Sequence, residues 1–324
     1  MRKTLAIGLI AVFSGFALHT QAMAEGKFFS VASGPTGGVY YPLGGGVANL
    51  ITKYVDKAQA TAEATSGSVD NVKLVGDDSS YLGFASADIV QQAVSGMGPF
   101  KDAPAKITTL AALYPNIVQI ITMKSSGVAQ VSDLKGKRVA TGTPGSGFEV
   151  LSNRILTAAG LDPNTDIQRA TLATNDAVNA LRDGKVDAVV FSGGVPAAAI
   201  ADLAAAPGID LTIIPTAELA TKLNETHGKG LYSKQIVPAG AYGDDISAPV
   251  ETLGVWNLLL VSSEMSDADA QTVCAALLGH LDEFSAIHPA ARGVKLEWQK
   301  QANAPARFHP GAEKCIKDLG FSLE

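Results

Sequence analysis

The sequence is poor in several residue types on which common protein chemistries depend. It has two cysteines among 324 residues, its aromatic content is 6%, and its 25 basic residues are outnumbered by 31 acidic ones. Because the chain has no excess of basic residues, its composition does not favour nucleic-acid binding. Its acidic residues are scattered rather than clustered, so it does not favour a cation-binding tail either. After Ala24, no apolar run approaches the roughly 20 residues of a membrane span.

The chain also lacks the usual signatures of a metal site or a catalytic centre. Its histidines are widely spaced, no HExxH pair occurs, and neither cysteine has CxxC spacing. His288 and His309 both precede proline, where we interpret them as ordinary turn residues. The segment GTPGSGFE is neither a Walker A loop nor a GxSxG elbow, because Pro144 and Phe148 occupy the flanking glycine positions. We expect no enzyme, metal or cofactor, although a triad assembled only in space stays open.

The N-terminus has the pattern of a secretory signal peptide, residues 1–24. Arg2 and Lys3 precede an apolar run of Leu5 to Leu18, and Ala-Met-Ala ends at Ala24. We predict cleavage after Ala24, with an uncleaved anchor as the alternative. The mature chain then has 300 residues and, with 23 basic residues against 31 acidic ones, a net charge of −8. That length favours two domains.

The two cysteines, Cys274 and Cys315, would be exported into an oxidising compartment. An even count there predicts one disulfide between neighbouring C-terminal helices, which would close a loop of about 40 residues. The alternative is two buried free thiols.

Short β-like runs alternate with helical segments through most of the chain. The runs are KFFSVAS, ATAEAT, YLGFAS, ITTLAAL and NIVQIITM, followed by KRVATG, IQRATL, VDAVVFS and DLTIIP. This alternation predicts largely parallel sheets flanked by helices, in two lobes. In TNDAVNALRDGK an Asn/Asp start and Gly184 predict a capped helix, and Ser146 with Glu149 predicts a capping box on another. The C-terminal region predicts helices without further strands.

Two extended segments, NIVQIITMKSS and LGVWNLLLVSS, are suited to antiparallel hinge strands between the lobes. The predicted lobe I is then discontinuous, residues 25–120 plus 251–324. The predicted lobe II is the insert, residues 121–250.

Four times, a strand ends in small polar residues and glycines that lead directly into a helix. These loops are ASGPTGGVYYPLG, ATSGSVDNV, GTPGSGFEV and FSGGVPAAAI. Ligands bind at such carboxyl edges of parallel strands, where free N–H groups at helix starts attract anions. We therefore predict that two facing edges hold a small anion through backbone and hydroxyl donors, with Tyr40 and Tyr41 supplying shape.

The candidate binding residues from these loops are Gly37, Gly38, Tyr40, Tyr41, Thr65, Ser66, Ser68, Asn71, Gly145, Ser146, Gly147, Gly193, Gly194 and Pro196. Alternatives stay open for several of them. Ser146 is accounted for by capping alone, and Thr65, Ser66, Ser68 and Asn71 are equally suited to turns. Because they are adjacent, Tyr40 and Tyr41 cannot both face the ligand, and one of them is expected to pack.

Several segments together resemble the TAXI family, the solute receptors of one class of tripartite ATP-independent periplasmic (TRAP) transporters. They are GPTGGVYYPLGGGVANLI, ATSGSVDNVKLV, LYPNIVQIITMKSSGVAQVSDLKGKRVATGTPGSG, LRDGKVDAVVFSGGVPAAAI and HPGA, in order along nearly the whole mature chain. The resemblance implies a type II periplasmic binding protein fold, two lobes that close on a ligand, and delivery to a permease driven by an ion gradient. The resemblance also implies that the ligand is a small organic anion, such as glutamate or another dicarboxylate.

The resemblance adds Ser86 and Asp88 to the candidate binding residues. The chain departs from the family's pattern at Phe148, where relatives usually carry a polar residue. It also departs at Ser86, where glutamine is common, and at Ala197, where asparagine often follows the GGxP proline. These three changes affect which ligand we expect, and they do not affect the expected fold.

We expect a monomeric periplasmic receptor whose partners are the anion and a TRAP permease with fused or separate membrane subunits. A receptor that signals through a sensor partner is the alternative, and an exported enzyme on the same scaffold is a third hypothesis.

Overall fold

The computed structural model describes residues 26–324. The predicted signal peptide lies outside the described residues. Within residues 26–324, no helix is both long and apolar enough to cross a membrane.

Strands and helices alternate through most of the chain. The strands are β1 (Lys27–Ala32), β2 (Ala58–Glu63), β3 (Tyr81–Ser86), β4 (Ile107–Met123), β5 (Arg138–Ala140), β6 (Gln168–Ala170), β7 (Ala188–Gly193), β8 (Leu211–Ile214), β9 (Tyr232–Val237), β10 (Ala241–Asp244) and β11 (Val250–Ser262). The helices are α1 (Tyr40–Tyr54), α2 (Ser68–Asp77), α3 (Ala87–Val94), α4 (Gly147–Ala158), α5 (Thr174–Arg182), α6 (Ala198–Ala204), α7 (Ala220–His227), α8 (Asp267–Leu278), α9 (Leu281–Ile287) and α10 (Pro310–Asp318).

Ten of the strands form a continuous sheet with the order β2-β1-β3-β11-β4-β7-β5-β6, to which β8 adds beside β4 and β9 beside β11. The trios β2-β1-β3 and β7-β5-β6 are parallel and lie at opposite ends of this order. Helices cover both ends, so the fold is the two-lobed α/β architecture expected from the sequence. We call the part built on β1–β3 the first lobe and the part built on β5–β7 the second lobe.

Two long antiparallel strands, β4 and β11, belong to both lobes. In β11, residues 257–261 pair with β3, whereas residues 250–255 pair with β9. In β4, residues 117–122 pair with β7 of the second lobe. Residues 254–262 of β11 pair with residues 107–117 of β4, with register shifts on either side of Leu258–Leu259. They therefore form the hinge, while the exact lobe boundaries stay a prediction.

Three local predictions differ from the structure. ITTLAAL and NIVQIITM are one strand, β4, because Pro115 pairs with Trp256 of β11 and does not interrupt the ladder. Helix α5 begins at Thr174 after Ala173, without a side-chain cap, so Asn175 lies in the first turn. The sequence interpretation also missed β9 and β10.

After β11 the chain is helical, as predicted, and α8 packs against both α1 and α10. Cys274 of α8 and Cys315 of α10 form the predicted disulfide, with a Cα–Cα distance of 6.2 Å. His288 and His309 are helix N-caps rather than the turn residues predicted: His288 precedes the 3-10 helix Pro289–Gly293 and His309 precedes α10. In each, the Nδ1 atom accepts a hydrogen bond from the backbone N–H two residues later.

Candidate functional site

The four glycine-containing loops meet where the lobes face each other. The loops before α1 and α2 follow β1 and β2 of the first lobe, and those before α4 and α6 follow β5 and β7 of the second. Asp70 in α2 donates its backbone N–H to the carbonyl of Gly145, at 3.3 Å across the cleft. The predicted strand-to-helix pattern is confirmed, and it lines a cleft between the lobes.

Glycines at this interface allow the two lobes to approach closely. A Cβ atom on Gly37 would lie 1.8 Å from Asn175 Oδ1 of the second lobe. One on Gly147 would lie 2.9 Å from Ser68 Oγ of the first lobe, and one on Gly194 would lie 2.5 Å from Ala290 Cβ. Asn175 Oδ1 and Ser68 Oγ are side-chain ends that can shift, whereas the Ala290 Cβ cannot turn away, so a side chain at Gly194 does not fit the closed arrangement. The glycines thus serve closure of the lobes.

A small cavity remains inside the closed cleft, about 20 Å³ in volume. It is lined by Pro35, Gly38, Val39 and Tyr40 of the first lobe and by Phe148, Phe191 and Ser192 of the second. The rings of Phe148 and Phe191 lie 5.3 Å apart, and the ring of Tyr40 stacks on Phe84 at 5.1 Å. A cavity of this size holds about one water, so an organic ligand enters only when the lobes separate.

Tyr40 connects the cavity to the hinge. Its hydroxyl donates to Asn257 Oδ1 of β11 and accepts from Asn116 Nδ2 of β4 at 3.3 Å. Asn257 Nδ2 in turn donates to the carbonyl of Tyr114 at 3.1 Å. Burial, the largest effect, raises the pKa of the Tyr40 hydroxyl well above its ordinary value, so the group stays a neutral donor.

Several buried polar atoms in this region have no hydrogen-bond partner among residues 26–324. They are Ser192 Oγ at the end of β7, Thr141 Oγ1 just after β5, Thr174 Oγ1 at the start of α5, and Asn116 Oδ1 in the hinge. Strands β7, β5 and β6 are neighbours in the sheet, so the three hydroxyls belong to adjacent carboxyl edges of the second lobe. Buried polar groups are seldom left unpaired without a reason, and a ligand would supply the partner.

Asp88, a predicted binding residue, lies in a buried ion pair. Arg154 Nη1 of α4 donates to Asp88 Oδ2 at 2.7 Å and to the Tyr232 hydroxyl at 2.6 Å, and that hydroxyl donates to Asp88 Oδ2 at 3.0 Å. Burial acts to lower the pKa of Arg154, but Asp88 and Tyr232 outweigh it and hold the pKa above its ordinary value. The carboxylate is thus paired with a protein cation.

Ser146 is buried, and its hydroxyl both donates and accepts a hydrogen bond within its own loop. Its Oγ accepts from the Glu149 N–H at 3.1 Å and donates to the Thr143 carbonyl at 2.6 Å. The predicted capping box is only half formed, because the Ser146 N–H donates to the same Thr143 carbonyl rather than to the Glu149 side chain.

Three of the predicted polar residues hold the loops of the first lobe together. Asn71 Nδ2 donates to the carbonyls of Ser33 and Phe84, at 2.6 and 2.8 Å, and so joins the ends of β1 and β3. Thr65 Oγ1 donates to Asn71 Oδ1 at 2.6 Å. Ser68 Oγ accepts from the Ser86 N–H at 3.2 Å. Thr65 Oγ1 also accepts from the Gly67 N–H at 3.1 Å, which is a turn contact. Asn71 and Ser68 instead bond to distant strands, so the turn interpretation does not describe their side chains.

The remaining predicted residues are not all brought to the cavity. Tyr41 is 39% exposed and Ser66 is half-buried, and neither lines the cavity. Gly193 follows Ser192 at the end of β7. Pro196, after a cis peptide bond, accepts a hydrogen bond at its carbonyl from His288 Nε2 of the first lobe, at 3.0 Å. Ser192 and Phe191 line the cavity and were missed by the sequence interpretation. It also missed the unpaired hydroxyls of Thr141 and Thr174, which do not line the cavity.

Within the described part of the chain, no group of three or more His, Cys, Asp or Glu side chains is placed to hold a metal ion. The chemistry that the cavity offers is that of hydroxyl donors, helix starts and aromatic walls.

Two parallel-sheet lobes, a two-strand hinge and a cleft between glycine-rich loops define the class of two-lobed periplasmic binding proteins. The profile of the NMT1-like family matches residues 31–320, and the chain belongs to that family.

Solved structures of low identity share the fold. One described as a periplasmic transporter is 13% identical with a TM-score of 0.52, and the match covers 91% of this chain and 93% of that one. The binding component of an ABC phosphonate transporter from Pseudomonas aeruginosa is 10% identical with a TM-score of 0.52, covering 84% and 81%. A protein from Bordetella bronchiseptica RB50 is 18% identical with a TM-score of 0.51, covering 90% and 88%.

Proposed function

We propose that this protein is the solute receptor of a TAXI-type TRAP transporter. It captures a small organic anion between its lobes and delivers it to a membrane permease. The observation that carries the proposal is Ser192 Oγ, a buried hydroxyl without a partner among the described residues, beside the start of α4 in the interlobe cavity. Membership of the NMT1-like family and the two-lobed fold support it.

The polar side of the cavity is suited to an anion. Helix α4 begins at Gly147, and Phe148 in its first turn lines the cavity beside Ser192. The first N–H groups of a helix have no intrahelical acceptor and carry about half a positive charge. A carboxylate there would accept hydrogen bonds from these groups and from the Ser192 hydroxyl, without an arginine.

The transport role rests on the sequence resemblance and the predicted signal peptide. We propose a periplasmic, monomeric receptor that binds its ligand without chemical conversion and needs no cofactor. The resemblance makes glutamate and other dicarboxylates the first ligands to test, alongside simpler organic acids.

A thermal-shift screen of organic acids against the ligand-stripped mature chain tests the binding function. A true ligand at about 100 times its Kd adds about 2.7 kcal/mol to the free energy of unfolding, which raises the Tm. If no organic acid raises the Tm, the proposed function is wrong.

Uptake of the labelled ligand by cells with and without the gene then separates transport from sensing. The transport role requires that uptake depends on the gene, persists after ATP depletion and stops when the ion gradient is collapsed. Binding without gene-dependent uptake would instead identify a sensor-partner receptor.

A further inference from the structure

The cavity between the lobes is polar at one place and apolar elsewhere. None of its lining residues is charged, and Phe148, Phe191 and Val39 supply much of its wall. Ser192 Oγ is the lining atom that is buried and unpaired. The cavity therefore offers one place for a carboxylate and an apolar surface for the rest of the ligand.

The charges close to the cleft do not provide a second anion site. Arg154, the buried basic side chain in the described chain, is already paired with Asp88. The loop before α4 lies against a carboxylate, because a Cβ on Gly145 would be 2.5 Å from Asp70 Oδ1. Glu149 adds another acidic side chain in the first turn of α4. Because these acidic groups lie close to the start of α4, they weaken its positive potential, and among the described residues no unpaired cation remains there for a second carboxylate. The other two unpaired hydroxyls of the second lobe, those of Thr141 and Thr174, do not line the cavity, so a second carboxylate inside it would meet apolar rings.

We infer that the ligand has a single carboxylate and a short apolar body, and that Phe148 selects against dicarboxylates. This inference rests on the proposed function and narrows its ligand class. The first carboxylate binds at the start of α4 and Ser192, and the apolar body packs against Phe148 and Phe191. Closure removes water from the cleft, and an ionised group buried without a partner is strongly disfavoured.

Matched pairs of acids test the inference directly. The pairs are butyrate with succinate and pentanoate with glutarate. The two acids of a pair have equal numbers of carbon atoms, and the diacid has a carboxylate where the monoacid has a terminal methyl group. Their affinities are measured by calorimetry on the ligand-stripped mature protein at about pH 7.5, where all these carboxylates are ionised. We expect each monoacid to bind at least about 10-fold more tightly than its matched diacid, because the second carboxylate finds no partner.

Variants of Phe148 test its role in selection. Phe148→Arg supplies a cation for a second carboxylate. In each pair it should reduce the excess affinity for the monoacid or make the diacid bind more tightly. Phe148→Gln, which is neutral, should reduce that excess affinity less. The matched control is Phe28→Arg in β1, where the side chain is 69% exposed and outside the cavity, and it should leave the preference unchanged. Ser192→Ala should weaken both members of a pair, since it removes the donor for the shared carboxylate.

The outcomes separate this inference from the proposed function. If the diacids bind as tightly as the monoacids, or more tightly, the single-carboxylate inference is overturned while the anion receptor stands. If the monoacids are preferred but folded Phe148→Arg and Phe148→Gln proteins keep the same preference, the role of Phe148 is overturned. If no acid of either kind binds, both proposals are wrong.

Discussion

Arg154 of the second lobe and Asp88 of the first lobe form a buried ion pair, with Nη1 and Oδ2 2.7 Å apart. The side chains are 7% and 1% exposed. Because the two groups belong to different lobes, separating the lobes exposes the pair to water or breaks it, so the pair favours the closed arrangement. Tyr232, which bonds to both groups, completes their hydrogen bonding.

Removing the cation alone should destabilise the protein strongly. Arg154→Met leaves the Asp88 carboxylate buried without its partner, and we expect a loss of about 3–5 kcal/mol in the free energy of unfolding, measured with denaturant. The double variant Arg154→Met, Asp88→Asn removes both charges and should recover much of the loss. A single variant as stable as the parent would show that Asp88 does not depend on Arg154, and would reopen its predicted role in ligand binding.

Ser146→Ala should affect stability and not ligand affinity. Both hydrogen-bonding roles of its Oγ are satisfied within the loop, so we expect a loss of about 1 kcal/mol, typical of an N-cap. The matched control is Ser266→Ala, since Ser266 Oγ caps α8 by accepting from the Asp269 N–H at 3.1 Å and lies outside the cavity. If Ser146→Ala also weakens ligand binding while Ser266→Ala does not, Ser146 contacts the ligand.

The lobes and their loops could be predicted from the sequence because the signals are local. The glycine-rich loop before α1 and the apolar strand β7 each carry their pattern within a few residues. Strand β9 was missed because it pairs with β11 alone and has three consecutive polar residues, Ser233, Lys234 and Gln235, none of which is buried. Its sequence therefore resembles a polar loop.

The partners within the site could not be predicted, because they come from distant parts of the chain. Arg154 is 66 residues from Asp88, and Tyr232 is 144 residues from it. The lack of a partner for Ser192 Oγ is likewise a property of the folded cleft. Gly37 was predicted to bind the ligand, and the sequence could not show that the group beside it in the closed protein is Asn175 of the opposite lobe.

Gly194→Ala should hinder closure without unfolding the protein. The added Cβ would meet the Ala290 Cβ at 2.5 Å, and that atom cannot turn aside, so we expect a larger radius of gyration by X-ray scattering and about 10-fold weaker ligand binding, as the closed population falls. Gly45→Ala is the control, since nothing lies within 4 Å of its Cβ position in α1, and it should stabilise the helix by about 1 kcal/mol. Unchanged affinity in Gly194→Ala would mean that the segment carrying Ala290 moves aside freely. Gly145 is a less suitable test because its φ of +80° makes any side chain strained.

The disulfide should contribute substantially to stability. Cys274 and Cys315 are 41 residues apart, and in the chain-entropy model closing such a loop contributes about 4 kcal/mol. The double variant Cys274→Ala, Cys315→Ala should lose about that amount in denaturant unfolding, and exported protein should resist alkylation until it is reduced. Two thiols that alkylate without reductant would show that the bond is absent from the exported protein.

The stability of the closed protein should fall in mild acid because of His288. Its Nδ1 accepts from the Ala290 N–H and its Nε2–H donates to the Pro196 carbonyl of the other lobe, so the ring is neutral in the folded protein. Burial lowers its pKa, against a smaller opposing effect of Pro196.

The unfolded chain, with a histidine pKa of about 6.5, then binds more protons than the folded chain as pH falls. The His288 contribution is therefore complete above about pH 6.5 and is lost as pH falls from there through the lower folded pKa. His227, whose pKa burial and Arg154 also lower, acts in the same direction. We expect His288→Gln, which keeps a donor for Pro196 but does not titrate, to show a smaller loss of unfolding free energy than the parent between about pH 7.5 and 5.5. Equal losses in the two proteins would assign the acid sensitivity to His227 or to other groups.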